Sequence, residues 1–113
     1  MAIRRAAAID ANQNEIVKAL RDVGALVVLT HTLKNAFDIL VGYRGKWFAI
    51  EIKDGEKMPN KFVKMLTAER DNYLMHKKLS DGEFDFMIKA AAVGCSYTII
   101  YDVATALKAI GAN

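Results

Sequence analysis

The chain has 113 residues, of which 53% are hydrophobic and 26% are charged, and this composition is typical of one globular domain. A single cysteine, Cys95, excludes a disulfide scaffold, and no apolar run approaches the roughly 20 residues that a membrane-spanning helix needs. The apolar run after Arg4 and Arg5 is too short for a signal peptide, so we expect a soluble, cytoplasmic protein. The formal net charge of +3 permits a polyanionic partner without requiring one.

The first two elements are predicted from hydrophobic periodicity. Apolar residues recur at helical intervals over residues 11–23, where Asp10 is placed to cap the helix and Gly24 to end it. Residues 25–30 are short, apolar and β-branched, which predicts a strand.

A β-hairpin is predicted next, over residues 37–53. Two apolar runs flank Arg44 and Gly45, and a two-residue turn with glycine in its second place is a hairpin signal. With this turn, Asp38 lies opposite Glu51, and Lys53 follows on the same face because side chains alternate along a strand. The other face of the hairpin is then apolar and consists of Phe37, Ile39, Val41, Phe48, Ile50 and Ile52.

The second half of the chain completes a single α/β domain. The predicted elements are a lysine-rich loop over 54–64 with Pro59, a helix over 68–79 capped by Thr67, a break over 80–83, a short helix over 84–92, a strand over 96–101 and a helix over 103–110 capped by Asp102 and closed by Gly111. We interpret residues 81–95 as an insertion between the helix over 68–79 and the last strand. Its apolar side chains, Phe84, Phe86, Met87 and Ile88, suit either a dimer interface or the core.

The opposed carboxylates of Asp38 and Glu51 are the candidate site. Like charges directly opposite each other across a strand pair repel each other and destabilise the pair. A divalent cation bound between two carboxylates makes the same arrangement favourable, because carboxylate oxygens are its ligands. The Ile52 carbonyl offers a further ligand, and Lys53 can hold a water or neutralise charge on a phosphate. The alternative is a solvated edge hairpin on which Glu51 simply pairs with Lys53.

These residues resemble a known signature. Asp38, then twelve residues, then Glu51-Ile52-Lys53 is similar to the Asp…(Asp/Glu)-x-Lys motif of the PD-(D/E)XK nuclease superfamily, with Phe37 in place of the proline. Residues 10–25, 37–59, 66–69 and 101–111 resemble small stand-alone phage and prophage nucleases of the VRR-NUC and Holliday-junction-resolvase-like groups. The resemblance implies a restriction-endonuclease-like αβββαβ core with a mixed sheet flanked by helices.

The resemblance also implies an activity and roles for single residues. It implies an Mg²⁺- or Mn²⁺-dependent endodeoxyribonuclease that cuts structured or branched DNA as a homodimer. Asp38 and Glu51 would bind the metal, Lys53 would serve the attacking water, and Glu15 matches a helix carboxylate that points into the same site in resolvase-like members. Glu15 suits equally a surface pair with Lys18 or Arg21.

Several basic residues are candidates for phosphate contacts. They are Arg4, Arg5, Lys57, Lys61, Lys64 and Arg70. The loop lysines suit backbone phosphates near a phosphodiester site, and they suit a solvated loop equally well. The spacing of His31 and His76 does not indicate a zinc site. The alternative to an enzyme is a catalytically inactive nucleic-acid-binding module, or an assembly subunit, with the same fold.

Overall fold

The computed structural model describes residues 11–113, so the predicted cap Asp10 and the basic residues Arg4 and Arg5 lie outside the described part. The helices and strands are α1 (Gln13–Asp22), β1 (Leu26–Leu29), β2 (Ile39–Tyr43), β3 (Lys46–Ile52), α2 (Thr67–Tyr73), α3 (Asp81–Ala92), β4 (Tyr97–Ile100) and α4 (Val103–Ile110). Two short 3₁₀ turns, Gly55–Lys57 and Asn60–Lys64, follow β3. The predicted order of elements is confirmed.

The four strands form one mixed sheet in the order β1-β2-β3-β4. β2 is antiparallel to both of its neighbours, β1 and β3, and β4 runs parallel to β3. A parallel neighbour needs a crossover connection, which here contains α2 and α3. The expected mixed α/β architecture, with an αβββαβ-like core between helices, is therefore present.

The predicted hairpin register is confirmed. Ile39 pairs with Ile50, and Val41 pairs with Phe48. Arg44 and Gly45 both have positive φ angles, 49° and 82°. Positive φ at both central residues is the geometry of a type I′ turn, whose twist matches that of the flanking strands. The turn therefore sets which residues of the two strands lie opposite each other.

The first helix begins later than predicted, at Gln13. The Asn12 side chain would be expected to cap it, but its Nδ2 donates instead to the backbone oxygens of Lys53 (3.1 Å) and Tyr101 (3.0 Å). This amide therefore ties the start of α1 to the carboxyl ends of β3 and β4. The helix ends at Asp22, one residue before the predicted end, and Gly24 follows two residues later with a φ of 94°, as a glycine that stops a helix does.

One face of the sheet forms the apolar core. Helices α1 and α4 pack on it through Ile16, Leu20 and Ile110. The strands contribute isoleucines and valines that are at most 5% exposed, namely Val27, Ile39, Val41, Ile50, Ile52 and Ile100. Burying such a side chain stabilises a fold by about 1.5–3 kcal/mol each, so this face supplies the main stabilisation.

Helix α3 differs most from the prediction. Residues 80–83, predicted as a break, start this helix: the Glu83 N–H donates to Ser80 Oγ (3.1 Å), and the Ser80 N–H donates to Glu83 Oε1 (2.9 Å). This reciprocal pair is a capping box, so the helix begins at Asp81 and not at Phe84.

Helix α2 also differs at both ends. Leu66 occupies the N-cap position, and its N–H donates to Glu69 Oε1 (2.8 Å), which makes Thr67 the first helical residue. The helix continues into a π-helical turn, Leu74–Lys78, and stops before Leu79.

Helix α3 covers part of the second face of the sheet. The Phe86 ring lies 5.7 Å from that of Phe37 and 5.8 Å from that of Tyr97. The prediction that Phe37 belongs to the core face is therefore wrong. Phe37 precedes β2, and its ring packs on α3. Of the apolar side chains at 84–88, Ile88 is the most exposed, at 49%. Within residues 11–113, every helix falls short of the length and apolar content that crossing a bilayer requires.

Candidate functional site

The start of β2 and the end of β3 bring Asp38 close to the Glu51-Ile52-Lys53 segment. The Asp38 N–H donates to the Ile50 oxygen (3.0 Å), which fixes the backbone beside β3. Asp38 Oδ2 in turn accepts the Ile52 N–H (2.8 Å). The carboxylate thus lies against the peptide group between Glu51 and Lys53.

Glu51 is the only acidic residue that is fully buried among residues 11–113, at 4% exposure. Its Oε2 lies 3.3 Å from Lys53 Nζ. The alternation of β3 places both side chains on the face opposite the apolar core, as predicted. A carboxylate in such a position is costly unless charged or polar partners compensate for the lost water.

Glu83 is a third carboxylate at this site, which the sequence analysis did not identify. Its Oε1 accepts a hydrogen bond from Lys53 Nζ at 3.1 Å. Ser80-Asp81-Gly82-Glu83 has the capping-box pattern and could have predicted the helix start. The contact with Lys53 spans thirty residues and depends on how α3 packs on the sheet. Only the fold reveals it.

The charges around Glu51 oppose its ionisation. Burial raises the pKa of Glu51 from 4.5 to about 9, and the carboxylates of Asp38 and Glu83 act in the same direction. The ammonium of Lys53 opposes them without cancelling them. The interaction of the Glu51 and Glu83 side chains raises the pKa of Glu51 and lowers that of Glu83. In the absence of a cation, therefore, the protonated form of Glu51 is favoured.

Lys53 and Glu83 are held in their charged forms. Burial lowers the pKa of Lys53, but the charges of Glu51 and Glu83 outweigh it, and the net shift is upward from 10.5. Burial raises the pKa of Glu83, but the Ser80 backbone N–H and Lys53 outweigh it, and the net shift is downward. Tyr97, beside this cluster, has a raised pKa because of burial and then of the three carboxylates.

The donor set suits a magnesium-type ion with few protein ligands. Asp38 and Glu51 supply carboxylate oxygens, and the Ile52 carbonyl faces the Asp38 side of β3 because the N–H and C=O of one strand residue point the same way. Among residues 11–113, no group of three or more His, Cys, Asp or Glu side chains is arranged to hold a metal. Mg²⁺ commonly binds one or two carboxylates and completes its shell with water and phosphate oxygens. The crowding of acids around Glu51 is consistent with a cation at this point.

The structure places Glu15 in a different setting. Its exposed side chain lines a cavity of about 350 Å³ near the start of α1, together with Asp54, Glu56 and Asp102. Asp38, Glu51 and Lys53 do not line this cavity. The role of Glu15 as a ligand of the same site stays a prediction.

The basic candidates divide into two groups. Lys57, Lys61 and Lys64 are exposed on the two 3₁₀ turns that follow β3. The Arg70 guanidinium instead donates to the backbone oxygens of Phe62 (3.0 Å) and Val63 (2.6 Å). Arg70 therefore stabilises the loop that carries the lysines, which accounts for its charge without a phosphate.

Comparisons with known proteins do not assign this chain to a family. No protein-family model, no curated protein and no solved structure matches this chain significantly.

Proposed function

We propose that this protein is a metal-dependent endonuclease that hydrolyses phosphodiester bonds in DNA at Asp38, Glu51 and Lys53. The observation that carries the proposal is the position of Glu51. It is a buried acid with two further carboxylates around it and one ammonium 3.3 Å away.

Such a cluster does not stabilise the fold efficiently, because its ionisable groups lose their hydration on burial. Buried ion pairs can often be replaced by apolar residues of similar volume without loss of stability, so their presence is a weak stabilising device. The neighbouring positions on the opposite face of β3, Ile50 and Ile52, show that this strand accommodates apolar side chains. Perturbed acids next to a lysine are a common property of catalytic sites. The cost of Glu51 is consistent with a catalytic role.

Each residue has a defined task in the proposed hydrolysis. Asp38 and Glu51, with the Ile52 carbonyl, would hold Mg²⁺ or Mn²⁺, which when bound polarises the scissile phosphate. Lys53 positions the incoming water and neutralises charge that develops on the phosphate. The water oxygen bonds to phosphorus, the bond to the 3′ oxygen breaks, and the products are a 5′ phosphate and a 3′ hydroxyl.

The surroundings of the site support a nucleic-acid substrate. The Lys53 and Glu83 side chains retain 18% and 22% exposure, so the cluster is reached from solvent over Lys53. Directly after Lys53 the chain enters the turns with the exposed lysines 57, 61 and 64. Lysines near a scissile phosphate suit contacts with neighbouring phosphates, which add affinity without sequence preference. We propose structured or branched DNA as the substrate on the resemblance of the motifs.

A homodimer is part of the proposal because one chain offers one such site, whereas cutting both strands needs two. The sheet has a second face that α3 covers only in part. Near the hairpin turn, Leu26 and Trp47, which both pair with Gly42, are 58% and 60% exposed. Size-exclusion chromatography with light scattering tests this proposal, and a monomer at all concentrations contradicts it.

The direct test is cleavage of a supercoiled plasmid and of a four-way junction with Mg²⁺, Mn²⁺ or EDTA. We expect cleavage with either metal, none in EDTA, and a loss of at least about 100-fold in Asp38→Ala and Lys53→Ala. Lys89→Ala is the matched lysine control, since Lys89 is exposed on α3 and pairs only locally with Asp85. It should cleave like the wild type.

A different pattern would identify the alternative function. DNA binding that needs no metal, leaves the DNA intact and is unchanged in Asp38→Ala indicates an inactive binding module. Cleavage that persists in both site variants contradicts the assignment of these residues.

A further inference from the structure

We infer that Glu83 is a positioning residue that holds the Lys53 ammonium at the place where the proposed hydrolysis uses it. The inference rests on the proposed function, and it assigns a task to a helix that the sequence motif does not include. Glu83 itself contacts neither the substrate nor the cation in this account. It acts through Lys53.

The lysine needs such an anchor because of its length. A lysine carries its charge on a flexible four-carbon stem, so its position is set by the partners of its ammonium. Here the partners are Glu51 Oε2 at 3.3 Å and Glu83 Oε1 at 3.1 Å. If Glu51 turns its oxygens to a cation, Glu83 is the partner that remains.

The carboxylate of Glu83 is itself fixed in place. Its Oε1 also accepts the Ser80 N–H at 2.9 Å, which joins the side chain to the first turn of α3. The helix in turn packs on the sheet through Phe86, whose ring contacts those of Phe37 and Tyr97. The position of Lys53 is therefore determined by how α3 packs on the sheet, in addition to its place on β3.

Two variants separate this role from a purely structural one. Glu83→Ala removes the anchor of Lys53 and half of the capping box. Ser80→Ala removes the other half, the bond from the Glu83 N–H to Ser80 Oγ, and leaves the Glu83 carboxylate bonded to Lys53 Nζ and to the backbone N–H of residue 80. Loss of a cap lowers helix stability, so both variants should lower the melting temperature by about 4–8 °C.

The first measurement follows the Lys53 ammonium by NMR in the metal-free protein with labelled nitrogen. An ammonium held by the side-chain oxygens of Glu51 and Glu83 exchanges its protons slowly enough to give a signal, so we expect one for Lys53 in the wild type. Glu83→Ala should lose it, and Ser80→Ala should retain it. Glu83→Gln, which keeps an acceptor oxygen in the same place, should retain it at reduced intensity.

The second measurement is the steady-state cleavage of the four-way junction with Mg²⁺. Misplacing a catalytic group by about 1 Å can cost up to about 100-fold in rate, so we expect Glu83→Ala to lower kcat by about 10- to 100-fold. KM should stay within about two-fold, because Glu83 does not touch DNA. Glu83→Gln should recover much of kcat, and Ser80→Ala should match the wild type.

The outcomes distinguish the two proposals. A Lys53 signal that survives in Glu83→Ala, or a kcat of Glu83→Ala equal to that of the wild type, overturns the inference. Equal losses in Ser80→Ala and Glu83→Ala overturn it as well, because the cause would then be the helix cap. If wild-type protein shows the expected NMR pattern but cuts no DNA, the proposed function fails and Glu83 remains the anchor of Lys53.

Discussion

The two faces of β3 have opposite physical characters, although their residues alternate along one strand. Ile50 and Ile52 point into the core formed with α1 and α4 and are almost fully buried. Glu51 is equally inaccessible on the other face, where it meets Asp38, Lys53 and Glu83. Burial of the isoleucines on the first face lowers the free energy of the folded state. Burial of the ionisable groups on the second face raises it, because these groups lose their hydration.

The difference separates the face that stabilises the fold from the face on which we propose the hydrolysis. The core face would hold the strand in place without any help from Glu51. The face that α3 covers gathers the carboxyl groups of Asp38, Glu51 and Glu83, which together raise the pKa of Glu51, and Lys53 contacts two of them, Glu51 and Glu83. Active sites often lower the stability of a protein in favour of function, and the contrast within one strand supports the proposed site in this way. Three sets of substitutions and the pH dependence of stability test this contrast.

The largest effect is expected from Ile50→Ala on the core face. The side chain is fully buried, and removing three of its carbons leaves a cavity among Ile39, Val41 and the α1 residues. Such a truncation destabilises a protein by about 2–5 kcal/mol. Chemical unfolding in urea measures it. A loss below about 1 kcal/mol would show that this face does not carry the main stabilisation.

The adjacent variant Glu51→Gln should have the opposite sign and a smaller size. It removes the cost of protonating Glu51 on folding, which arises at pH 8 because the folded protein holds a proton that the unfolded chain has released, while Lys53 keeps Glu83 as a partner. We expect a gain in unfolding free energy of about 1 kcal/mol at pH 8, together with the loss of cleavage. A destabilisation would mean that the pair with Lys53 outweighs the repulsion and the burial.

The pH dependence gives the sign of the Glu51 effect independently. Since its pKa rises from 4.5 to about 9 on folding, the folded protein retains a proton that the unfolded chain releases. The contribution of Glu51 is therefore most favourable below pH 4.5 and is lost as the pH rises through about 9. The advantage of Glu51→Gln over the wild type should grow across this window. Urea unfolding at several pH values, without divalent cations, measures the trend.

The smallest effect is expected from the exposed lysines at 57, 61 and 64. Their combined replacement by alanine should leave stability unchanged and reduce the slope of log K against log salt by up to about one for each lysine that binds a phosphate. Fluorescence anisotropy with a junction in EDTA measures binding without cleavage. Lys18→Ala with Lys89→Ala is the control, because both lysines pair locally on other helices. An equal change in the control pair would assign the effect to net charge.

Much of the fold could be predicted from the sequence, because its signals are local. The turn at Arg44 and Gly45 fixed the register of the hairpin, and Asp102 and Gly111 marked both ends of α4 as observed. The same register brought Asp38 to the Glu51–Lys53 segment. Each of these features depends on residues within a few positions of one another or on strand alternation.

The parts that could not be predicted depend on long-range packing. The contact between Glu83 and Lys53 requires α3 to lie on the sheet, and Phe37 turns to the same side because of Phe86. The late start of α1 follows from the bonds of Asn12 to the distant Lys53 and Tyr101. Local propensity carries no information about these partners.

The most direct test of the account is a calorimetric titration of Mn²⁺ into the wild type and into Asp38→Asn. Asparagine keeps an oxygen that can accept the Ile52 N–H, so the variant removes a ligand charge with little change in structure. Asp22→Asn, on the exposed surface of α1, is the matched control. We predict one ion per chain, bound at least about ten-fold more tightly by the wild type and the control than by Asp38→Asn. Equal affinity in all three proteins, or no binding by any of them, would contradict the account.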